Sequence, residues 1–257
     1  MNENLLLDGE RLDKVNESLT LIQKKDGLTF GTDAYLLAAY MKPSTNGIAV
    51  ELGAGTGIIS LLSAARGRFK KIYAIEIQRD FAELTERNVK YNDLSEKIEV
   101  VCANVSEIRG NSFGKEVDVV FSNPPYMRTD SGKRNESDYK YIARHEVFGG
   151  IEDFCAAACR LLKHGGKFYC VWRPDRLSEL MKAMSDNRLE PKVMTFVHAD
   201  IKTEPSMVLV SAIKGGAPSM TVTRPIFLYE EEILEGGKRK MTADAEKIYD
   251  TMSVEVY

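Results

Sequence analysis

Apolar positions along the chain follow two alternating rhythms. Short unbroken runs rich in β-branched residues are each followed by a stretch in which apolar residues return every three or four positions. The first rhythm predicts buried strands and the second amphipathic helices. The run "GIAVELGA" (47–54) ends in glycines, and "GIISLLSAARG" predicts a helix stopped at Gly67. "KKIYAIEI" predicts the next strand and "RDFAELTERNVKYN" the next helix, closing at Asn92. "KIEVVCA" and "VDVVFS" predict two further strands. "GIEDFCAAACRLLKHGG" then predicts a long helix with a Gly-Gly stop, "KFYCVWR" a strand and "DRLSELMKAMSDN" a helix. Repeated units of this kind imply an α/β fold, a mostly parallel sheet with helices on both faces.

The end of the series breaks the pattern. "KVMTFVHA" and "SMVLVSAIKGG" both read as strands, yet only "DIKTEP" separates them. A parallel crossover needs a dozen or more residues, so these two strands are expected to pair antiparallel. Seven strands with the last one antiparallel make the predicted sheet. Before it, residues 1–45 predict a hairpin in "LTLIQKKDGLTF" turning at Asp26-Gly27, and a helix "TDAYLLAAYM" capped by Thr32, both packing on the core. The core is expected over 46–215. Residues 216–257 read as an extension of the same domain, with a strand-like "PIFLY", a polar "EEEILEGGKRK" and a helix from Thr242.

Composition narrows the class more than the chemistry. At 257 residues, 44% hydrophobic and 28% charged, the chain has the make-up of a soluble globular protein. No run approaches the ~20 apolar residues of a membrane span. The acidic start "MNENLLLDGERLDK" lacks the basic region of a signal peptide. Four cysteines form no CxxC pair, and three scattered histidines give no ligand spacing. A reduced, cytoplasmic protein without a metal is expected. The net charge of −3 argues against wholesale electrostatic binding of nucleic acid and leaves room for a local basic patch.

The candidate chemistry sits at strand ends. "ELGAGTG" follows the first core strand with glycines at 53, 55 and 57, a GxGxG spacing distinct from the GxGxxG that cradles a pyrophosphate. Glu76 ends the second strand inside an otherwise apolar run, where an acid needs a partner such as ribose hydroxyls. Glu51, Gly53, Gly55, Gly57 and Glu76 together predict a nucleoside-binding site. "VDVVFSNPPYMRT" ends a strand on Asn123, Pro124, Pro125 and Tyr126. Prolines there can simply terminate a strand, with Asn123 a turn former and Tyr126 a rim aromatic. The stretch 127–146 is long, polar and rich in both charge signs, as solvated loops are.

Taken together, GxGxG, the acid ending the second strand and NPPY after the fourth resemble a class I S-adenosylmethionine-dependent methyltransferase, a Rossmann-like fold. The NPPY element is similar to that of enzymes that methylate an amino nitrogen conjugated to a planar group. "GLTFGTDAYLLAAYM", "ARHE", "WRPDRLSEL" and "EPSMVLVSAIKGG" further resemble the bacterial tRNA(Val) adenine N(6)-methyltransferase family, which modifies the adenine just 3′ of the anticodon. The resemblance spans about residues 28–215 and implies S-adenosylmethionine as cofactor and tRNA as substrate. It implies that the Asn123 side chain and the Pro124 carbonyl accept the two N–H groups of the target amine, that the prolines make that carbonyl rigid, and that the flipped base stacks on Tyr126. It places Thr32, Asp33 and Asn123 at the cofactor, and Asn104 where such enzymes often carry an aspartate against the cofactor's adenine amine. Arg128, Lys133, Arg134 and Arg144 become candidates for RNA phosphates, set against Asp130, Glu136 and Asp138 in the same loop. Rival readings are a glutamine methyltransferase, disfavoured by the short segment ahead of the core, and a non-catalytic RNA-binding protein on the same fold, disfavoured by an intact Asn123. A DNA adenine methyltransferase lacks room for a recognition domain. A nicotinamide oxidoreductase conflicts with the glycine spacing and the antiparallel strand.

Overall fold

Two antiparallel strands precede the core in the structure, a computed structural model that describes residues 5–25, 31–124, 149–234 and 236–254. They are β1 (Glu10–Lys14) and β2 (Thr20–Lys24), in register Glu10 to Lys24. The hairpin was expected to turn at Asp26-Gly27, which lies outside the described residues. β2 pairs with the chain before it. Asn16 makes that turn, its side-chain oxygen accepting the Ser18 N–H at 2.9 Å.

The core then runs α1 (Thr32–Tyr40), β3 (Ser44–Leu52), α2 (Ile58–Ala65), β4 (Phe69–Glu76), α3 (Arg79–Tyr91), β5 (Ile98–Cys102), β6 (Val117–Ser122), α4 (Ile151–Leu161), β7 (Leu162–Trp172), α5 (Leu177–Asp186), β8 (Leu189–His198) and β9 (Pro205–Lys214). After it come β10 (Thr221–Val222), β11 (Ile226–Phe227), β12 (Tyr229–Ile233), β13 (Arg239–Met241) and α6 (Ala243–Thr251). The main sheet has the order β10-β8-β9-β7-β6-β3-β4-β5, with β11 also on β8. Strands β3 to β7 are parallel, and β9 inserts antiparallel between β7 and β8. The seven expected strands are β3 to β9. The two-residue β10 and β11 add to the β8 edge, parallel to it.

Two local readings change. The Gly-Gly after α4 was expected to stop a helix, but α4 ends at Leu161 and Leu162 is already extended, with φ −68° and ψ 140°. Leu162 pairs with Val117 and Lys167 with Val119, so the glycines occupy a bulge inside β7. Within and around the polar stretch, β12 pairs antiparallel with β13, Tyr229 opposite Met241 and Ile233 opposite Arg239. Thr242 caps α6 as expected, accepting the Ala245 N–H at 3.1 Å.

Strand alternation divides the core. Tyr169 and Val171 of β7 face α1, α2 and α6, while Phe168, Cys170 and Trp172 face α4 and α5. Phe168 is fully buried, which contributes ~1.5–3 kcal/mol by area; truncation to alanine is expected to cost ~3–5 kcal/mol because a cavity remains. Helix α1 is buried at every position from Ala34 to Tyr40, because the sheet lies on one side and α2 and α6 on the other. Among the described residues no helix is long and apolar enough to cross a membrane.

Candidate functional site

The chain leaves β3 for β4 and β5 on one side and returns to pair β6 on the other. The carboxyl ends of β3 and β6 therefore flank the switch point of the sheet, where open α/β folds bind ligands. Ser122 closes this end, its hydroxyl donating to the Leu52 carbonyl at 2.7 Å.

The glycine loop turns there. Gly57 has φ +79°, and a Cβ on it would meet the Thr85 methyl at 2.5 Å, so only glycine fits. Gly55 has φ +57° and nothing within 4 Å of where a Cβ would stand; the missing side chain leaves space above the backbone. Gly53, also at positive φ, lies under the Phe154 ring. Helix α3 clamps the loop: Thr85 donates to the Gly55 carbonyl at 2.7 Å and Asn88 to the Thr56 carbonyl at 3.1 Å. The Asn88 amide also bonds Ile22 in both directions, at 2.6 and 3.1 Å, so one buried side chain ties the loop to β2.

The two acids behave differently. Glu76 is 5% exposed, and its two carboxylate oxygens accept the Gly55 and Gln78 N–H groups at 2.8 and 2.9 Å. A carboxylate has about four acceptor positions, so room for about two more donors remains. Glu51 is 1% exposed and lies beneath the loop, accepting the N–H of Ser60 at 3.1 Å and its hydroxyl. Burial pushes its carboxyl up to about 8. Both Ser60 contacts fall on the same carboxylate oxygen, so Glu51, expected at the cofactor, also braces the first turn of α2. Asn104 likewise uses its oxygen internally, accepting the Ser106 N–H and hydroxyl at 2.9 Å each. That Asx turn occupies the acceptor expected to meet an adenine amine.

Asn123 and Asp33 meet across the crevice. The Asn123 amide donates to the Asp33 carboxylate at 2.8 Å, which orients the amide with its nitrogen toward α1. Asp33 sits in the first turn of α1, where the helix dipole favours an anion. A Cβ on Gly31 would lie 2.5 Å from the Asp33 carboxylate, so the glycine leaves that carboxylate its space. Gly31, not Thr32, holds the N-cap position. Thr32 is the first helical residue. Tyr249 stacks on Tyr35 with ring centroids 4.4 Å apart, and the Tyr35 hydroxyl donates to the Tyr249 carbonyl at 2.8 Å. Arg68, 5% exposed, donates to the carbonyls of Met41 and Met252 and fastens the same two segments.

Thr32 and Asp33 also line a cavity of about 750 Å³ with Trp172, Pro174, Glu204 and Ser206. Its size suits a nucleoside-sized ligand. The structure thus brings Asp33 and Asn123 together, and the glycine loop with Glu76. Pro125, Tyr126, Arg128, Lys133, Arg134 and Arg144 lie outside the described residues. Sequence reasoning missed Thr85 and Asn88; a polar residue recurring on the apolar stripe of α3 was the available signal. It also left Trp172 to Asp175 and Glu204 to Met207 without a role, although both segments put polar groups at the ends of apolar strands.

Comparison with known proteins agrees with this architecture. The model of the methyltransferase small domain matches residues 24–189. A tRNA1(Val) (adenine(37)-N6)-methyltransferase from Phocaeicola vulgatus is 29% identical over 222 residues, covering 85% of this chain and 92% of that protein. One of the same description from Dyadobacter fermentans is 26% identical, covering 84% and 88%. Among solved structures, a "predicted O-methyltransferase" from Agrobacterium tumefaciens superposes with a TM-score of 0.69 at 23% identity, covering 88% of this chain and 99% of that one. The chain belongs to the methyltransferase small domain family.

Proposed function

We propose that this chain transfers a methyl group from S-adenosylmethionine to the exocyclic amine of an adenine in tRNA, beside the anticodon of tRNA(Val). The observation that carries the reading is the 2.8 Å hydrogen bond from Asn123 to Asp33 at the carboxyl end of β6, against a cavity of about 750 Å³. The relatives named for tRNA adenine methylation, matched over most of their length, support the substrate.

The residues fit the cofactor. The open face of Gly55 admits close approach of a ligand, and Glu76 beside it retains acceptor positions for a pair of ribose hydroxyls. When bound, the sulfonium cofactor supplies the electrophilic methyl. The chain's own work is on the nucleophile. An adenine amine is poorly nucleophilic because its lone pair is delocalised into the ring. The Asn123 oxygen and the Pro124 carbonyl accept its two N–H groups and favour the tetrahedral amine, with the lone pair aimed across the crevice. Asp33 holds the Asn123 amide so that its oxygen, not its nitrogen, faces the amine. The proton leaves once the nitrogen has become cationic, so no strong base is needed beforehand. The stacking role of Tyr126 and the rigidity supplied by Pro125 rest on the sequence resemblance.

Mass spectrometry of nucleosides from tRNA incubated with the protein and S-adenosylmethionine tests the reading. N6-methyladenosine is expected in tRNA(Val). A folded, cofactor-binding protein that leaves tRNA unmodified would refute it.

A further inference from the structure

A second cavity, of about 260 Å³, opens near the other end of the sheet, on the α1 side. Lys42, Lys167 and Lys192 line it over the phenols of Tyr40 and Tyr169, with Ser211 beside them, and no carboxylate is among its lining residues. Lys167 lies five residues before Trp172 on β7, about 17 Å along the strand at ~3.3 Å per residue. The phenols are fixed: Tyr40 donates to the Val193 carbonyl at 3.2 Å, and Tyr169 accepts the Lys42 N–H at 3.3 Å. Lys192 donates to the Ala217 carbonyl at the rim. Among the described residues, Lys42 and Lys167 form no ion pair, whereas Lys163 and Lys214 nearby pair with Asp118 and Glu116. Burial and the neighbouring Lys42 ammonium both push Lys167 below the usual lysine range, and no carboxylate counters them.

The Lys42 and Lys167 ammonium groups at one concavity repel each other unless an anion joins them, and Lys192 adds a third positive side chain at the rim. The Lys42 and Lys167 side chains, with the Ser211 hydroxyl beside them and no carboxylate among the lining residues, suit a compact, multiply charged oxyanion. We propose that this cavity binds a phosphate group. On the methyltransferase reading, on which this assignment of source rests, the phosphate belongs to the tRNA backbone, gripped well away from the reacting adenine. It concentrates positive charge in a chain whose net charge is −3.

The experiment compares the parent with the triple variant Lys42→Gln, Lys167→Gln, Lys192→Gln, and with Lys167→Arg. Fluorescence anisotropy reads tRNA affinity against salt, and calorimetry reads binding of pyrophosphate and of S-adenosylmethionine. Losing one phosphate contact should flatten the salt slope by about 1, hence weaken tRNA about 10-fold near 0.1 M salt. Cofactor affinity should match the parent, showing that the variant is folded, and Lys167→Arg should retain most of the tRNA affinity. Loss of pyrophosphate binding with tRNA unchanged would keep the phosphate site and assign it to a free anion. A protein that makes no methyladenosine, yet needs these lysines for pyrophosphate, would sink the methyltransferase reading alone. Unchanged salt slope, tRNA affinity and pyrophosphate binding in the folded triple variant overturn the proposal.

Discussion

Replacing Asp33 with alanine isolates the contact on which the proposed chemistry depends. The substitution removes the carboxylate that accepts the Asn123 amide at 2.8 Å and leaves Asn123 itself in place. A hydrogen bond to a charged acceptor contributes ~1.5–3 kcal/mol, so the methylation rate should fall roughly 10- to 150-fold if that energy is all spent on aligning the amide. The loss should appear in kcat, since the amide meets the amine most strongly as the nitrogen becomes tetrahedral. Asn123→Ala should cost more, roughly 10²- to 10³-fold, by analogy with deleting one preorganised transition-state hydrogen bond. The decisive measurement is the double variant. If Asp33 acts through Asn123, adding Asp33→Ala to Asn123→Ala should cost little, because there is no amide left to align. Asp33→Asn, an acceptor without charge, should recover part of the rate. Single-turnover methylation of tRNA reads the parent and all four variants, with calorimetric cofactor binding as the control for folding. Fully additive losses in the double variant would refute the reasoning, and a fall in cofactor affinity equal to the fall in rate would move Asp33 to the cofactor instead.

Other expectations follow from the loop and its supports. Glu76→Ala should weaken S-adenosylmethionine by ~1.5–3 kcal/mol in calorimetry; unchanged affinity would remove Glu76 from the site. Gly57→Ala forces φ +79° on a residue with a Cβ and drives it into Thr85, so it should cost about 1–3 kcal/mol and lower Tm by several degrees. Adding Thr85→Ser, which removes the methyl and keeps the hydroxyl on the Gly55 carbonyl, should return part of that loss, and no recovery would show the strain to be purely backbone. Burial raises the Glu51 carboxyl from 4.5 to about 8, so the unfolded chain ionises first. Its contribution to stability is full below pH ~4.5 and is lost toward pH ~8 at ~1.4 kcal/mol per unit. Glu51→Gln should flatten that slope in urea titrations across this range, and parallel slopes would deny that Glu51 is the buried acid responsible.

What could be read from the chain was what its neighbours in sequence determine. The apolar run of β3, the glycines that stop it and the helix beyond are one local pattern, and the acid ending β4 stands out because its strand is otherwise apolar. The six-residue link between β8 and β9 settles their antiparallel pairing by length alone. What stayed hidden depends on distant partners. "ERLDK" carries four charges and reads as surface, yet Glu10 is buried because Arg87, 77 positions away, meets its carboxylate at 2.5 and 2.7 Å. The Lys-His-Gly-Gly stretch reads as a helix stop until β6 supplies the strand it bulges against. Nor does the sequence show that Ser60, nine positions on, gives both its N–H and its hydroxyl to one oxygen of Glu51. Asp33 and Asn123 are 90 positions apart, and neither residue alone announces the other.

The stack of Tyr249 on Tyr35 joins positions 214 apart in the chain. Closing so long a loop costs entropy before any contact repays it, so docking of α6 onto α1 belongs to the late part of folding. During synthesis, α1 waits for a partner encoded more than two hundred codons downstream. Asp33 rides on that helix, and so the last packing partner of the element that aligns Asn123 arrives from the far end of the chain. A nascent chain arrested before α6 is expected to hold the sheet and the glycine loop while still lacking its methyl-transfer geometry.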